Sequence, residues 1–206
     1  MKSKLQKDHQ LQIKEDQCLW RDLKHSHPEA LNSLFIKYYS DFYFYGLKLV
    51  GNHDLVVDTI QDLFASVWES RKRISEVNHV KAYLFAALRN NLLKPTAKDI
   101  IGKDTGINIE NDYSFDISPE DIYLNNEAQL ENMKLIGDML AELSPKQKEI
   151  IYLKFFCNYS NIEISSVLSI KYQSVSNMLT RTLNLLRKKT KENRLLILIA
   201  LIFMLL

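Results

Sequence analysis

The fold is decided by residues 160–181, SNIEISSVLSIKYQSVSNMLTR. Apolar residues three and four apart predict a short helix over 160–168 and a longer helix from about 172 to 189. Between them, Ser169-Ile170-Lys171 forms a three-residue turn. The short helix is expected to bury Ile162, Ile164 or Ser165, Val167 and Leu168. The longer helix is expected to bury Val175, Leu179, Leu183 and Leu186.

A short helix, a tight turn and a longer helix with one polar face are typical of a helix-turn-helix, whose second helix enters the DNA major groove. Amide side chains can read adenine, Arg can read guanine, and Ser or Thr can bind phosphate. The outer face of the longer helix carries these types at Gln173, Ser176, Asn177, Thr180, Arg181 and Arg187. The run Arg187-Lys188-Lys189 adds attraction to phosphate that does not depend on base sequence.

Helix-start signals precede this motif. Ser144-Pro145-Lys146-Gln147 has the pattern of a capping box, with Ser as the N-cap and Gln three residues later. Ser118-Pro119 predicts an earlier helix start. We therefore expect a helical domain over residues 119–192.

The N-terminal half predicts three helices. The first covers residues 30–50 with a stop at Gly51-Asn52, and the second follows residues 52–54. The second helix has an apolar side that includes Phe64 and Trp68, and its opposite face is acidic. That face carries Asp58, Gln61, Asp62, Ala65 and Glu69. The third, from about 80 to 93, is expected to bury Tyr83, Leu84, Ala87, Leu88 and Leu92 and to leave Lys81, Phe85 and Arg89 near its other side. We place this domain at residues 20–94.

Charge is distributed in blocks. The net charge is +4 over residues 1–98, −8 over 99–131 and +5 over 138–194. With Lys134, which lies between the last two blocks, the total is only +2. The acidic block lacks a helical period, so we interpret residues 95–118 as a linker.

The composition favours a helical fold. Only 5 Gly and 4 Pro in 206 residues disfavour a β-sandwich or barrel. Two distant cysteines and a polar N-terminus favour a cytoplasmic protein without disulfides. The expected fold is all-α, with two small helical domains joined by an acidic linker.

Two segments resemble the sigma factors of bacterial RNA polymerase. The spacing of Asp58, Gln61, Asp62, Phe64 and Trp68 is similar to the region 2 signature, and residues 82–90, AYLFAALRN, resemble the stretch that follows it in the extracytoplasmic-function (ECF) group. Residues 143–150, LSPKQKEI, and the helix-turn-helix resemble region 4. The resemblance covers about 25–94 and 120–190, with both regions in the family's order.

The resemblance implies partners for particular residues. The β′ coiled coil of core RNA polymerase would bind Asp58, Gln61, Asp62, Phe64 and Trp68, and the β flap is a second core contact. The promoter −10 element would meet Arg73, Asn78, His79, Lys81 and Arg89, with Arg71 and Lys72 nearby. The −35 duplex would meet Gln173, Ser176, Asn177, Thr180, Arg181, Arg187 and Lys188. The acidic linker would pass through the RNA exit path, and an anti-sigma factor is a further partner.

Two departures from the family pattern occur in region 4. Ser169 stands where the turn usually has Gly, and Ser165 stands where Ala is usual. A Ser in the left-handed backbone region costs about 1 kcal/mol.

Other function classes fit the residues less well. We find no catalytic set, metal-ligand spacing or phosphate-binding glycine loop, so we expect neither an enzyme nor a cofactor or small-molecule substrate. The main alternative is a two-domain helix-turn-helix regulator that does not bind core polymerase, which would have no reason to carry Gln61, Asp62 and Trp68. An enzyme with an appended DNA-binding domain and an anti-sigma factor are weaker alternatives.

The C-terminus ends in twelve apolar residues, 195–206, after a basic run. A twelve-residue helix is about 18 Å long, which is too short to span a membrane. We expect this tail to pack on the chain itself or to dock on a partner. A weak contact with a membrane surface is the alternative.

Overall fold

The computed structural model describes residues 2–94, 113–117 and 140–190, with side chains described over 10–94, 113–117 and 140–188. In this part of the chain all regular structure is helical, as predicted. The helices are α1 Lys2–Lys24, α2 Pro28–Val50, α3 His53–Ser70, α4 Val80–Leu92, α5 Pro145–Phe155, α6 Asn161–Val167 and α7 Tyr172–Thr190. None of the described helices is long and apolar enough to cross a membrane. The chain divides into two compact units, Met1–Tyr113 and Ser114–Leu206.

In the first unit, α2 packs against α1, α3 and α4. Aromatic rings fill the centre because α2 presents several of them on its buried side. The Phe42 ring is fully buried and lies 4.7 Å from Phe85 of α4 and 6.0 Å from Phe64 of α3, measured between ring centroids. Aromatic pairs at these separations add to the free energy that burial of their surface provides. The core therefore fixes α3 and α4 on one side of α2.

The α2–α3 connection follows its predicted signals. Gly51 adopts a left-handed φ of 65° and its N–H donates to the Leu47 carbonyl, which ends α2. The side chain of Asn52 accepts a hydrogen bond from the backbone N–H of Leu55, which starts α3. Between these two helices, a Cβ on Gly46 would lie 2.7 Å from Cγ1 of Val56. Glycine at this position therefore permits the close approach of α2 and α3.

Two features of the first unit differ from the sequence predictions. Helix α1 was not predicted, because the stripe it buries includes the carboxylate of Asp16 and so lacks a clean apolar period. On α4 the burial of Leu84, Leu88 and Leu92 is as predicted, but the predictions for Tyr83 and Phe85 are wrong. Phe85 is fully buried against Phe42 and Tyr45, whereas Tyr83 is 39% exposed beside Trp20. Because α4 packs against α1, α2 and α3, it buries a wider arc than the predicted stripe.

The second unit contains the helix-turn-helix, formed by α6 and α7 and supported by α5. The capping box of Ser144 and Gln147 is present, and a second one joins Ser160 and Glu163. Ser169, in the turn, has the left-handed φ of 53° expected for the position where Gly is usual. One prediction on α6 is wrong, because Ile162 is 57% exposed. Since Glu163 turns inward to complete its capping box, the preceding residue faces solvent.

Part of the predicted linker packs in an ordered way. Tyr113, Phe115 and Ile117 are buried, and Ser114 and Asp116 between them are exposed. Within the second unit, the Phe115 ring lies 5.6 Å from the ring of Tyr152. The rest of the predicted linker, the helix start at Ser118-Pro119 and the tail 195–206 lie outside the described residues.

Candidate functional site

The acidic stripe of α3, which we define as Asp58, Gln61 and Asp62, faces solvent. Spacings of three and four residues place the three side chains on one side of the helix. The opposite side of α3 is buried in the core, so the helix cannot turn to present a different face. The stripe is therefore a rigid surface of carboxylates and an amide, suited to a partner with basic side chains.

Phe64 and Trp68, which the resemblance groups with this stripe as contacts for core polymerase, occupy different surroundings. Phe64 is 4% exposed and packs against Phe35 and Phe42. Trp68 is partly buried near the end of α3, where the Arg71 guanidinium stacks over its ring at 4.1 Å. Phe64 therefore supports the stripe from inside, whereas Trp68 borders it at the surface.

The segment between α3 and α4, residues 71–79, is the basic loop. Arg71 is held in place: its Nη1 donates to the Trp68 carbonyl at 2.6 Å and its Nε donates to the Ser26 hydroxyl at 3.1 Å. The side chains of Lys72, Arg73 and Asn78 are exposed. Exposed cations in an irregular loop are suited to contact a flexible strand of nucleic acid.

The other residues predicted for the −10 element are engaged within the chain. Lys81 makes a 2.8 Å ion pair with Asp41, and its side chain is only 16% exposed. The Arg89 guanidinium lies 5.1 Å from the centre of the Tyr113 ring. His79 is partly buried at the N-cap of α4. The structure therefore leaves Arg73 and Asn78 exposed on the basic loop, whereas Lys81 contacts Asp41 and Arg89 contacts the Tyr113 ring.

Sequence reasoning missed the contribution of α1 to this site. Three of its side chains, those of Gln17, Trp20 and Lys24, bond to residues of the basic loop. Their spacing of three and four residues is a helical signal, but two of the three are polar and face another segment rather than the core. The exposure of the Tyr83 ring beside Trp20 was also missed, because an aromatic residue at helical spacing usually lies in the core.

On α7, most of the side chains predicted to contact the −35 duplex are exposed. Gln173, Asn177 and Arg181 are exposed, and the buried side of the helix carries Val175 and Leu179. Further along α7, Thr180, Arg187 and Lys188 are exposed as well. Amides and a guanidinium on one helical face are the groups that hydrogen-bond to base edges.

Ser176 is the exception on this face. It is half-buried, and its hydroxyl accepts a 3.1 Å hydrogen bond from Nδ2 of Asn161 at the start of α6. The Thr180 hydroxyl donates to the Ser176 carbonyl at 2.9 Å. The bond from Asn161 links the two helices of the motif, whereas the bond from Thr180 lies within α7. Because the Ser176 hydroxyl is the acceptor of the first bond, its proton is available for a phosphate oxygen.

The support of the motif is partly polar. Glu163 is 2% exposed, and its carboxylate accepts hydrogen bonds from the N–H and hydroxyl of Ser160. Nearby, Lys154 donates to the Tyr159 carbonyl at 3.1 Å. Burial lowers the pKa of Lys154, and the negative charge of Glu163 partly opposes that effect. The buried Glu163 carboxylate therefore completes the N-terminal cap of α6.

A family model for sigma-70 region 4 matches residues 133–186. Two curated relatives match over most of the chain. The ECF RNA polymerase sigma factor SigL of Mycobacterium tuberculosis is 22% identical over 163 residues, which cover 79% of this chain and 89% of the relative. The RNA polymerase sigma factor SigV of Bacillus subtilis is 26% identical over 157 residues, which cover 74% and 87%.

Two solved structures share the fold. CnrH in complex with the cytosolic domain of CnrY matches with a TM-score of 0.54 and 16% identity, covering 86% of this chain and 98% of the other. The sigma factor RpoE in complex with the anti-sigma factor NepR from Bartonella quintana matches with a TM-score of 0.53 and 20% identity, covering 79% and 97%. The likeness thus extends over both units.

Proposed function

We infer that this chain is an ECF-group sigma factor, which binds core RNA polymerase and directs it to promoters for DNA-templated transcription initiation. The observation that carries this inference is the order of the two surfaces along the chain. An acidic stripe stands on the helical unit that comes first, and a region 4 helix-turn-helix follows in the second unit. The relatives named as sigma factors align across 74–79% of the chain, which a shared helix-turn-helix alone would not produce.

For core binding, we assign the contact to the acidic stripe. Asp58, Gln61 and Asp62 are exposed on a helix whose other side is buried, and a basic partner helix would find three acceptors in a row. Trp68 borders the stripe and offers an aromatic surface beside it. Phe64 is assigned a supporting role, because its ring is buried between Phe35 and Phe42.

For the −10 element, we assign the first contact to the basic loop. Arg73 and Asn78 are exposed there, and Tyr83 offers a half-open ring next to the loop for stacking of an unpaired base. Lys81 and Arg89 need to leave Asp41 and the Tyr113 ring before they contact DNA, so their role in the proposal is secondary.

For the −35 element, we assign base reading to Gln173, Asn177 and Arg181. Ser176, Thr180, Arg187 and Lys188 are assigned to phosphates. The Ser176 hydroxyl can donate to a phosphate oxygen, because in the motif it only accepts a hydrogen bond. The Thr180 hydroxyl already donates its one proton to the Ser176 carbonyl and needs to release that bond first, so its role in the proposal is secondary. A β flap contact of the second unit follows from the region 4 match and has no assigned residues.

Regulation and location complete the proposal. RpoE is bound to an anti-sigma factor in a solved structure, and we propose that an anti-sigma factor also controls the present chain.

We propose that the chain acts in the cytoplasm, because promoter DNA is located there, and that the polymerase supplies the chemistry of RNA synthesis. Docking of segment 195–206 on this chain, on a partner or at a membrane surface stays a prediction, since those residues lie outside the described part.

The core contact can be tested by charge reversal. Asp62→Lys should prevent co-elution of the chain with core polymerase in gel filtration, because it replaces an acceptor with a cation facing a basic helix. Asp22→Lys is the matched control: it makes the same charge change at an exposed position of α1. A cation is also favourable near the C-terminal end of that helix. Equal co-elution of both variants, each folded by circular dichroism, would contradict the assignment.

A further inference from the structure

The last two turns of helix α1 contact the basic loop. Nε2 of Gln17 donates to the Asn78 carbonyl at 3.0 Å, and Nε1 of Trp20 donates to the Ser75 carbonyl at 3.1 Å. These bonds satisfy backbone carbonyls in a stretch that belongs to no helix. Two points of the loop are therefore tied to one rigid element.

A charged pair adds a third attachment. Nζ of Lys24 lies 2.6 Å from the Glu76 carboxylate, with the two side chains 22% and 66% exposed. The turn that follows α1 adds a fourth, because the hydroxyl of Ser26 accepts the hydrogen bond from Arg71 at the beginning of the loop. Ser26 has a left-handed φ of 68°, which turns the chain sharply at that point.

We call the three side chains Gln17, Trp20 and Lys24, which bond to the loop, the clamp. The clamp is anchored in the core of the first unit. Trp20 and Leu23 are fully buried, and the Trp20 ring meets Tyr83 edge-on at 5.4 Å. One helix turn earlier, Asp16 is buried and bonded to Lys37 and Tyr38 of α2. Because α1 is held by these buried contacts, its side chains Gln17, Trp20 and Lys24 can hold the loop residues that they bind in fixed positions.

We propose that α1 is a positioning element that sets the shape of the basic loop for single-stranded promoter DNA, with Gln17, Trp20 and Lys24 as positioning residues. The inference rests on the proposed function of the loop. Because Gln17, Trp20 and Lys24 bond to carbonyls and an acidic side chain, they leave the cations Lys72 and Arg73 of the loop exposed. Loss of the clamp therefore loosens the loop without removing any of its DNA-binding groups.

Two variants separate this role from simple folding. Trp20→Phe keeps an aromatic ring and removes the N–H donor, although it also leaves a cavity. Lys24→Glu acts on the solvent-accessible pair and does not depend on core packing. Glu76→Lys added to Lys24→Glu recreates the pair with reversed charges. Lys14→Glu, at an exposed position earlier on α1, is the control for charge.

Hydrogen exchange of the full-length protein tests the clamp directly. We expect amide exchange in residues 71–79 to rise about two- to tenfold in Trp20→Phe, the range for loss of one hydrogen bond. In Lys24→Glu we expect exchange of the same amides to rise about two- to fivefold, which is the range for loss of an exposed ion pair. The charge-swapped double variant should return to the wild-type rate, and Lys14→Glu should not change it. Unchanged exchange in both single variants would overturn the clamp.

Transcription from a library of randomised promoters tests whether the clamp positions the basic loop for the −10 element. Holoenzyme with Lys24→Glu should lose preference at −10 positions, keep its preference at −35 positions and bind core as tightly as wild type, and the double variant should recover. Intact −10 preference despite faster loop exchange would overturn the positioning role, as would equal losses at both elements. If wild-type holoenzyme selects no sequence at all, the proposed function fails, while hydrogen exchange still decides whether the clamp exists.

Discussion

The buried carboxylate of Asp16 on α1 accepts a hydrogen bond from the hydroxyl of Tyr38 on α2, and the two side chains are 3% and 1% exposed. The same carboxylate is 2.8 Å from Nζ of Lys37, whose other partner is the exposed Glu15. Burial lowers the pKa of Lys37, but its bonds to Asp16 and Glu15 outweigh that effect and raise it. One acidic side chain thus joins α1 to α2 through two donors.

Removal of Asp16 should destabilise the first unit. Asp16→Ala leaves the Tyr38 hydroxyl without its acceptor inside the protein, and we expect a loss of about 1–3 kcal/mol in the free energy of unfolding. Both tryptophans of the chain lie in the first unit, so urea unfolding followed by Trp fluorescence reports on that unit. Glu15→Ala is the control, because its pair with Lys37 is exposed and is worth about 0–1 kcal/mol. Equal losses in the two variants would refute a special role for Asp16.

Alkaline pH should weaken the same junction. Burial raises the pKa of Tyr38 above its usual 10.0, and the bond to Asp16 raises it further. A group with a raised pKa in the folded state stabilises fully below pH 10, where the unfolded chain is protonated as well. As pH rises further, only the unfolded chain loses the proton, which costs about 1.4 kcal/mol per pH unit. Unfolding free energies measured from pH 9 to 11.5 should therefore fall less steeply in Tyr38→Phe than in wild type. Parallel curves would be inconsistent with this pKa.

Ser169→Gly should stabilise the helix-turn-helix. Ser169 has a φ of 53°, which costs a residue with a side chain about 1 kcal/mol and costs Gly almost nothing. Native-state hydrogen exchange of residues 161–167 should slow by about fivefold, which corresponds to that energy. Ser169→Ala keeps the Cβ and should give no such gain. If Ala and Gly have the same effect, the strain at this position is not relieved by removing the side chain.

Arg181 and Lys188 should differ in what they contribute to −35 binding. Arg181→Ala should cost about 1–3 kcal/mol on the preferred duplex and relax one base position, because guanidinium reads a base edge. Lys188→Ala should weaken binding to all sequences alike and flatten the salt dependence by about one unit. Binding to a panel of duplexes at several salt concentrations distinguishes the two. Identical selectivity in the two variants would contradict this division.

The sequence predicted the helix ends correctly where the stabilising hydrogen bonds join residues only a few positions apart. Gly51, Asn52, Ser144 and Gln147 bond to their own helix ends, so the sequence alone identifies them. The errors have a different origin. The buried side of α4 depends on three packed neighbours, and α1 contacts a loop more than fifty residues away through polar side chains. No periodicity in the sequence of α1 reveals such contacts.

Transcription in vitro with core RNA polymerase, this protein and genomic DNA fragments, with transcript starts mapped to the nucleotide, tests the central claim most directly. A sigma factor predicts starts at discrete sites that share two upstream sequence elements and that vanish with core alone or with Asp62→Lys. If starts are as scattered as those of core alone, or share no upstream sequence, the chain does not direct initiation. The regulator that does not bind polymerase would then be the better account.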